Sequence, residues 1–351
     1  MVAFIGENGA GKTNLLEALS LFAPGRGLRR ADLSDMAREN GTGSFAISVM
    51  LNTDEDITRL GTGFDAHAPE GTPARRYRIN GTATGSAQDF ADYLRIVWLT
   101  PALDGLFSGP AGDRRRFIDR LVLALDPAHA GRVSALERAL RARNKLLEDP
   151  SSDAAWLDAI EREAAETAVA VAAARQETVG RLAGLILAAR DDTSPFPWAD
   201  IRLEGWIENA LLSQPAIDVE DAYRLMLRDN RGRDRAAGRT LIGPQASDLI
   251  VLHGPKAVSA ERASTGEQKA LLIGLVLAHA KLVADISGLA PLVLLDEVAA
   301  HLDPRRRAAL YETLAGLGSH VFVTGADAMA FIDMPQSAER FLVTNGSITI
   351  I

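Results

Sequence analysis

The chain has 351 residues, enough for two or three domains of roughly 100–200 residues, and its 47% hydrophobic and 24% charged residues exclude a disordered or collagen-like chain. Its formal net charge of −8 excludes a generally basic nucleic-acid coat, so a DNA-binding surface would need its positive charge concentrated on one face. Cysteine is absent, which excludes disulfides and zinc–thiolate sites. The sequence shows no signal peptide and no apolar run near the roughly 18 residues of a membrane-spanning helix. We therefore expect a cytoplasmic protein with no membrane partner.

The start of the chain predicts a phosphate-binding loop. Val2-Ala3-Phe4-Ile5 indicates a buried strand, and an amphipathic helix continues from Asn14. The residues between them match the P-loop pattern G-x-x-x-x-G-K-[ST]. Nucleotide-binding candidates are therefore Gly6, Glu7, Asn8, Gly9, Ala10, Gly11, Lys12, Thr13 and Asn14. Glycines let backbone N–H groups face phosphate oxygens, catalytic Lys12 reaches the β- and γ-phosphates, and the Thr13 hydroxyl ligates Mg²⁺. The alternative is a glycine-rich turn that only caps a helix.

The middle of the chain predicts an antiparallel β lobe followed by a helical arm. Residues 43–100 alternate apolar and polar side chains, and Asn80-Gly81 is a hairpin turn signal. Helical periodicity then predicts helices over 114–125, 127–147, 154–190 and 219–228. The third of these spans roughly 50 Å and carries an alanine-rich stripe. The arginine-rich stretch 228–239 contains two glycines and predicts a mobile loop.

Arginines cluster in three places that are candidates for a DNA face. The clusters are Arg26, Arg29 and Arg30; Arg114, Arg115 and Arg116; and Arg224, Arg228, Arg231, Arg233, Arg235 and Arg239. We take the first cluster as the candidate DNA contact. The alternative is that each cluster is a solvated loop or helix face.

A second phosphate-binding element is predicted by Ser264-Thr265-Gly266-Glu267-Gln268-Lys269, which precedes an apolar helix over 270–284. Ser264 and Glu267 have the spacing of a capping box, which is a sufficient structural reason for both residues. The functional interpretation is an ABC-type signature, with candidate contacts Ser264, Gly266 and Gln268. In such a signature the serine hydroxyl, the glycine N–H and the helix N-terminus bind the γ-phosphate of ATP held by a second copy.

The run Leu292-Val293-Leu294-Leu295 predicts a central parallel strand, at whose carboxyl end ligands bind in such sheets. Asp296 follows it as the candidate Mg²⁺ ligand, and Glu297 as the candidate general base. The alternative is a solvated Asp-Glu pair. Asp303, in His301-Leu302-Asp303, takes the place of a D-loop residue that crosses a dimer interface. His320 precedes the next strand, and we assign it no role as a switch histidine.

Taken in order, these segments resemble the bacterial RecF family, DNA-repair ATPases of the ABC/SMC class. The similar segments are the P-loop with its helix, Gly25-Arg26-Gly27-Leu28-Arg29, Asp113-Arg114-Arg115-Arg116-Phe117-Ile118-Asp119, Arg143-Asn144-Lys145-Leu146-Leu147, residues 264–269 and residues 295–306. The resemblance implies an α/β fold, an ABC-type ATPase head with an antiparallel β lobe and an inserted, short coiled-coil-like arm. The expected division is residues 1–105 and 241–351 for the head and 106–240 for the arm.

The resemblance also implies a function. Two copies would pair head to tail, each ATP and Mg²⁺ lying between one copy's P-loop and the other's signature. ATP would close the dimer on duplex or gapped DNA, slow hydrolysis would release it, and RecO and RecR would be partners in loading RecA. The family carries more residues before its P-loop than the five here, so we expect its first strands to be lacking. The family's G-P-H-R-D-D-L is replaced by residues 243–249, where only Asp248 keeps a possible role.

Three alternatives remain at the level of sequence. A DNA-end or SMC-like ATPase would need a nuclease partner or domain, and the sequence offers no carboxylate cluster beyond Asp296 and Glu297. A transporter ATPase subunit is disfavoured by the absent switch histidine and by the separation of about 250 residues between Thr13 and Ser264. A non-catalytic paralogue should have lost Lys12, Ser264 or Glu297, and the chain retains all three.

Overall fold

The computed structural model describes residues 1–39, 41–52, 56–67, 74–149, 151–299 and 302–351. Its strands are β1 (Val2–Ile5), β2 (Phe45–Asn52), β3 (Ile57–Phe64), β4 (Arg75–Ile79), β5 (Thr82–Thr84), β6 (Ile96–Leu99), β7 (Ala199–Glu204), β8 (Asp248–His253), β9 (Val258–Ser259), β10 (Leu292–Leu295), β11 (Val321–Gly325), β12 (Glu339–Thr344) and β13 (Ser347–Ile350). Its helices are α1 (Lys12–Ser20), α2 (Ala111–Leu125), α3 (His129–Glu148), α4 (Ala154–Ala188), α5 (Trp206–Ala210), α6 (Ala216–Asp229), α7 (Arg231–Ala237), α8 (Thr265–Ser287) and α9 (Pro304–Gly316). The chain forms two compact units, residues 1–104 with 272–351, and residues 105–271.

The first unit is built on a sheet with strand order β13-β12-β1-β11-β10-β6, parallel except for β13. Strands β1 and β10 are short and almost wholly buried, as expected for central parallel strands covered on both faces. Strand β6 also belongs to this sheet, so the prediction of an antiparallel lobe extending to residue 100 was wrong for its last strand. The parallel pairing brings the carboxyl ends of β1, β10 and β11 to one edge, where ligands bind in such sheets.

The antiparallel β lobe, in the order β2-β3-β4-β5, belongs to the same unit. Its β4–β5 turn has positive φ at Asn80 (50°) and Gly81 (84°), the conformation that favours this residue pair in hairpins. Alternate side chains of the lobe enter an apolar core with α1, where the rings of Phe22 and Phe90 lie 5.5 Å apart and those of Tyr77 and Phe90 lie 5.9 Å apart. The lobe is therefore anchored to the helix that follows the P-loop.

The second unit is the predicted helical arm. Helix α4 has 35 residues, about 52 Å at 1.5 Å per residue, and it packs against α2, α3, α6 and β7. Ala164, Ala168 and Ala172 on α4 are fully buried, and such small side chains allow neighbouring helices to approach closely. These helices confirm the inserted coiled-coil-like arm.

Helix α7 corrects the prediction of a mobile loop over residues 228–239. Arg231–Ala237 is helical and ends at Gly238, which adopts the left-handed conformation with φ of 65°. The helix packs against α3 and α6, and ion pairs of Arg231 with Asp158 and with Glu161, the latter at 2.5 Å, connect it to α4. Composition and glycine content suggested flexibility, whereas pairing with carboxylates distant in sequence orders the segment.

A buried guanidinium organises the arm. Arg143 on α3 has no exposed surface, and its nitrogens donate to Glu161 (2.9 Å), Asp234 (2.8 Å), Thr240 (2.7 Å) and the Leu227 carbonyl (2.6 Å). A buried charge is stable only when it is paired and its hydrogen bonds are satisfied. Arg143 therefore connects α3, α4, α6 and α7 at one point.

The second compact unit extends to residue 271, beyond the 106–240 expected for the arm. Strand β8 pairs with β7 in the arm, and Arg114 on α2 makes a two-pronged ion pair with Asp248 at 2.7 Å for each contact. Arg115 donates to the Ser247 carbonyl at 2.7 Å, and Arg116 pairs with Asp113. The three arginines of this candidate DNA cluster are thus engaged within the unit, and Asp248 serves as the partner of Arg114.

Helix α8 corrects the expectation that no segment reaches membrane-spanning length. It is long and apolar enough to cross a bilayer by length and composition. Much of it is buried, including Ala270, Leu271, Val276, Ala280 and Val283, as in the core helix of a globular protein. The expected absence of a membrane partner stays a prediction.

Candidate nucleotide-binding site

The loop between β1 and α1 has the backbone that phosphate binding requires. Gly9 and Gly11 adopt φ of 84° and 105°, a region that residues with side chains rarely enter. A Cβ atom at Gly6 would lie 2.3 Å from the Val343 carbonyl oxygen, so this position has no room for a side chain. Glu7, Asn8 and Gly9 are exposed and leave the loop open to solvent.

Lys12 opens α1 and is buried, with 4% of its surface exposed. Its Nζ donates to the carbonyl oxygens of Gly6 (2.7 Å) and Glu7 (2.8 Å). The ammonium is therefore held inside the curve of the loop, beside the exposed backbone and at the N-terminus of a helix. Both features favour an anion at this place.

The residue after Lys12 joins the acidic strand end predicted from sequence. Thr13 Oγ1 donates to both carboxylate oxygens of Asp296 at 3.1 Å, and the Asp296 N–H donates to the Leu99 carbonyl at 2.9 Å. Asp296 is buried and follows directly after β10. The structure thus brings together the P-loop hydroxyl and the carboxylate, which are 283 positions apart in the chain.

Thr324 completes this group, and sequence reasoning missed it. Its hydroxyl donates to Asp296 Oδ1 at 2.7 Å and accepts the Glu297 N–H at 3.0 Å, while the residue is only 1% exposed. Glu297 is held with φ of 53°, a left-handed backbone that is uncommon for a glutamate. The signal in the sequence is a polar residue near the carboxyl end of a buried parallel strand.

Oxygen donors dominate this group, as a magnesium site requires. The Thr13 hydroxyl and the Asp296 carboxylate are hard ligands that fit Mg²⁺, which binds one or two carboxylates and completes its shell with water and substrate phosphates. Over the described ranges, no set of three or more His, Cys, Asp or Glu side chains forms a metal cluster. The protein residues fit the ion only as part of a shell that phosphate oxygens complete.

The signature segment, residues 264–269, lies in the second unit at the start of α8. Ser264 and Gly266 are exposed. Ser264 Oγ and N–H both donate to Glu267 Oε2 at 3.0 Å, and the Glu267 N–H donates back to Ser264 Oγ at 3.4 Å, so the predicted capping box is present. Gln268 is buried and donates to the carbonyls of Glu261 (3.1 Å) and Ala263 (3.0 Å).

Glu267 of this segment is paired with a cation. Lys256 donates to Glu267, and this hydrogen bond, with those from Ser264, lowers the pKa of Glu267 to about 2. Glu267 therefore carries its charge throughout the physiological range. Asp303 lies in the first unit, where it is exposed and accepts the Arg306 N–H at 3.0 Å as the N-cap of α9. His301 lies outside the described residues.

The first arginine cluster contacts the P-loop helix. Arg29 Nη2 donates to Asn14 Oδ1 at 2.7 Å, and its backbone N–H and Nε donate to the buried Glu17 carboxylate at 2.9 and 3.0 Å. Arg26 pairs with Asp32, and Arg30 is exposed with φ of 58°. Their role as DNA contacts stays a prediction.

Comparison with known proteins identifies the class and then the family. A family model described as "AAA domain, putative AbiEii toxin, Type IV TA system" matches residues 1–324, more than half of the chain, and the chain belongs to this family of ATPase domains. The head domain of Smc from Pyrococcus furiosus matches with a TM-score of 0.50 at 16% identity, over 100% of this chain and 89% of that one. The sheets, the P-loop and the inserted helices thus define an ATPase head of the ABC/SMC type.

Closer relatives narrow this class. The DNA replication and repair protein RecF of Mesorhizobium japonicum is 54% identical over 99% of this chain and 91% of its own length, and that of Rhizobium etli is 52% identical over 98% and 91%. A structure described as the recombination mediator protein RecF-ATPrS in the RecFOR pathway matches with a TM-score of 0.85 at 18% identity, covering 99% of this chain and 91% of that one. The chain belongs to the RecF family.

Proposed function

We propose that the chain is an ATPase in which ATP, bound between two copies, controls the binding of DNA. The observation that carries this proposal is the group of Thr13, Asp296, Thr324 and Glu297, in which hydrogen bonds join the P-loop to the acidic end of β10. A phosphate loop alone binds many anions, but a loop hydroxyl held against a buried carboxylate, with a second carboxylate next in sequence, is the arrangement of a nucleotide hydrolase.

The loop binds the phosphates in this proposal. Backbone N–H groups of the loop would bind the phosphate oxygens, and Lys12 would exchange its contacts with the Gly6 and Glu7 carbonyls for phosphate oxygens. Because Lys12 is already buried at the helix N-terminus, little further side-chain ordering is needed on binding. Thr13 and Asp296 would hold Mg²⁺, which neutralises charge developing on the phosphates.

Glu297 is the proposed general base. Its backbone is fixed by the N–H contact to Thr324 and by the left-handed φ, so the carboxylate starts from a defined position beside Asp296. A carboxylate at this position accepts a proton from the attacking water while Asp296 remains committed to Thr13 and Thr324. In this proposal Asp296 acts as the ligand because its carboxylate already accepts hydrogen bonds from Thr13 and Thr324, and Glu297 acts as the base.

A second copy completes the site in this proposal. Ser264 and Gly266 are exposed at the N-terminus of α8, a position suited to a phosphate brought by another molecule. Gln268 contributes indirectly, because it holds the carbonyls of the preceding loop. Asp303 is exposed on the first unit and is the proposed contact across the interface.

The cellular role follows from the family. The relatives are named as DNA replication and repair proteins, and two solved relatives are described as recombination mediators of the RecFOR pathway with bound nucleotide. We therefore propose that the chain works in the cytoplasm, in recombinational repair and the SOS response. It would bind gapped or duplex DNA as an ATP-closed dimer, help RecA loading with RecO and RecR, and release DNA on slow hydrolysis.

Sedimentation of the Glu297→Gln variant tests the proposed site. Removing the base while keeping the shape should trap ATP, so we expect E297Q to sediment as a dimer with ATP and Mg²⁺ and as a monomer without them. Glu312→Gln is the control, because Glu312 is exposed on α9 of the same unit. A monomeric E297Q that still binds ATP would show that the signature assignment is wrong.

A further inference from the structure

The outward face of the β lobe carries a row of three arginines. Arg76 and Arg78 lie on β4 and Arg59 lies on β3, all exposed, because alternate residues of these strands point away from the core. Asp65 is the one carboxylate among the described residues that line this face, and it lies 3.9 Å from Arg76. We call Arg59, Arg76 and Arg78 the arginine face. It is strongly positive although the whole chain carries −8.

The strand register sets an even spacing along this face. Arg76 on β4 pairs with Gly63 on β3, and Arg78 pairs with Gly61. Arg59 lies two residues beyond Gly61 along β3, which continues the same progression. Two residues of an antiparallel strand span about 6.8 Å, so the arginine positions recur at about that step along the strand direction. Phosphates of one DNA strand recur every 3.4 Å along the helix axis, so two nucleotides cover the same distance.

Small residues lie beside Arg76 and Arg78 on this face. In neighbouring rows, Ala46 lies opposite Gly63 and Ser48 lies opposite Gly61. The result is a shallow concavity of about 430 Å³. Glycine, alanine and serine at these positions allow a bulky polymer backbone to come close to the sheet.

The contacts that these guanidinium groups make with described residues of this face are long. Arg59 Nη2 lies 3.9 Å from Met50 Sδ, and Arg78 Nη1 lies 3.4 Å from the Gly81 carbonyl oxygen. Each guanidinium has five N–H donors, so most of them remain directed at solvent. Such groups bind phosphate oxygens in two-pronged fashion at little cost in lost contacts.

We propose that the arginine face binds the phosphodiester backbone of DNA. This inference rests on the proposed function and adds a DNA-contacting surface on strands β3 and β4. The three charges at regular steps and the open floor fit an extended, repeating polyanion. Because the same sheet packs its other face against the P-loop helix, the DNA contact and the nucleotide loop share one core.

The salt dependence of DNA binding tests this proposal. The variant Arg76→Gln/Arg78→Gln removes two charges from the face, and the control Arg141→Gln/Arg181→Gln removes two exposed charges from the helices of the second unit. Binding to duplex DNA with ATP and Mg²⁺ is measured over a range of NaCl concentrations. Each phosphate contact contributes about 0.9 to the slope of log affinity against log salt. We therefore expect the slope to become shallower by about 1.8 for the first variant, which loses two contacts, and to stay unchanged for the control.

The outcomes separate this proposal from the proposed function. If the wild type binds DNA and the face variant keeps its slope, the arginine face is not a DNA contact although the function stands. If none of the proteins binds DNA, the function and the face fail together. A further test is calorimetric titration of tripolyphosphate into Lys12→Ala protein, for which we expect no binding. Binding that is then abolished by adding Arg76→Gln/Arg78→Gln would show that the arginine face is a site for small phosphates and would overturn the proposal. Unchanged ATP affinity of the face variant checks that its core is intact.

Discussion

Replacing Thr324 by valine would remove the hydroxyl that contacts the Asp296 carboxylate and the backbone N–H of Glu297. Valine has nearly the same shape, so packing of β11 is retained while two hydrogen bonds are lost. Asp296 Oδ1 would lose a donor at 2.7 Å, and the Glu297 N–H would lose its acceptor at 3.0 Å. The contacts of Lys12 with the loop would remain.

The magnitude follows from the chemistry of these bonds. A hydrogen bond to a charged group contributes about 1.5–3 kcal/mol. The bond to the Asp296 carboxylate is of this kind, whereas the neutral bond from the Glu297 N–H contributes about 0.5–1.5 kcal/mol. If the larger of these energies is lost from the arrangement of Asp296 and Glu297 during hydrolysis, kcat should fall about 10- to 100-fold, at about 1.4 kcal/mol per factor of ten. ATP affinity should change little, because the loop and Lys12 are untouched.

Steady-state ATPase kinetics and equilibrium nucleotide binding on Thr324→Val would measure both quantities. Thr313→Val is the matched control, since its exposed hydroxyl contacts only the Ala309 carbonyl within α9 among the contacts described. An unchanged kcat would refute the role of Thr324 in placing Glu297. A loss of ATP affinity as large as the loss of kcat would show that Thr324 supports the whole loop instead.

The remaining predictions concern stability and pH. Arg143→Met should destabilise the arm by about 3–5 kcal/mol because it leaves the buried carboxylate of Asp234 without its cation. Exposed Arg141→Met should cost at most about 0.5 kcal/mol. Denaturation followed by tryptophan fluorescence would find equal costs if the network were unimportant. Because the pKa of Glu267 is lowered, its ionised form stabilises the fold above the usual carboxyl pKa, and this stabilisation is lost as pH falls towards about 2. Glu267→Gln should therefore reduce the dependence of the unfolding free energy on pH between the usual carboxyl pKa and about 2. An identical acid profile would contradict this. Gly6→Ala should abolish ATP binding because its Cβ would meet a carbonyl at 2.3 Å, while Gly184→Ala, in open space, should bind normally; ATP titration of both decides.

The sequence predicted the P-loop and the acidic strand end because each depends on neighbouring residues. The fold of residues 6–13 is set by glycine positions and by the strand and helix on either side. Asp296 and Glu297 directly follow an apolar strand, so their place at a sheet edge could be inferred. The long helix α4 was predicted equally well, since its apolar stripe repeats over many turns.

Features that depend on pairing between distant residues escaped prediction. Thr324 acquires its role only because β11 lies beside β10 in the sheet. Arg114 and Arg231 belong to two further arginine clusters in the sequence, and the structure shows that they pair with Asp248 and Glu161. Charge clusters in a sequence do not reveal whether their partners are phosphates or carboxylates elsewhere in the fold.

Binding to gapped duplex DNA, with and without ATP and Mg²⁺, tests the central claim most directly. The comparison is between the wild type and Lys12→Ala, which removes the ammonium from the loop. We predict that the wild type binds the DNA only with ATP and that Lys12→Ala does not bind it under either condition. DNA binding by the wild type that is independent of ATP, or ATP hydrolysis without DNA binding, would contradict the claim that ATP controls DNA binding.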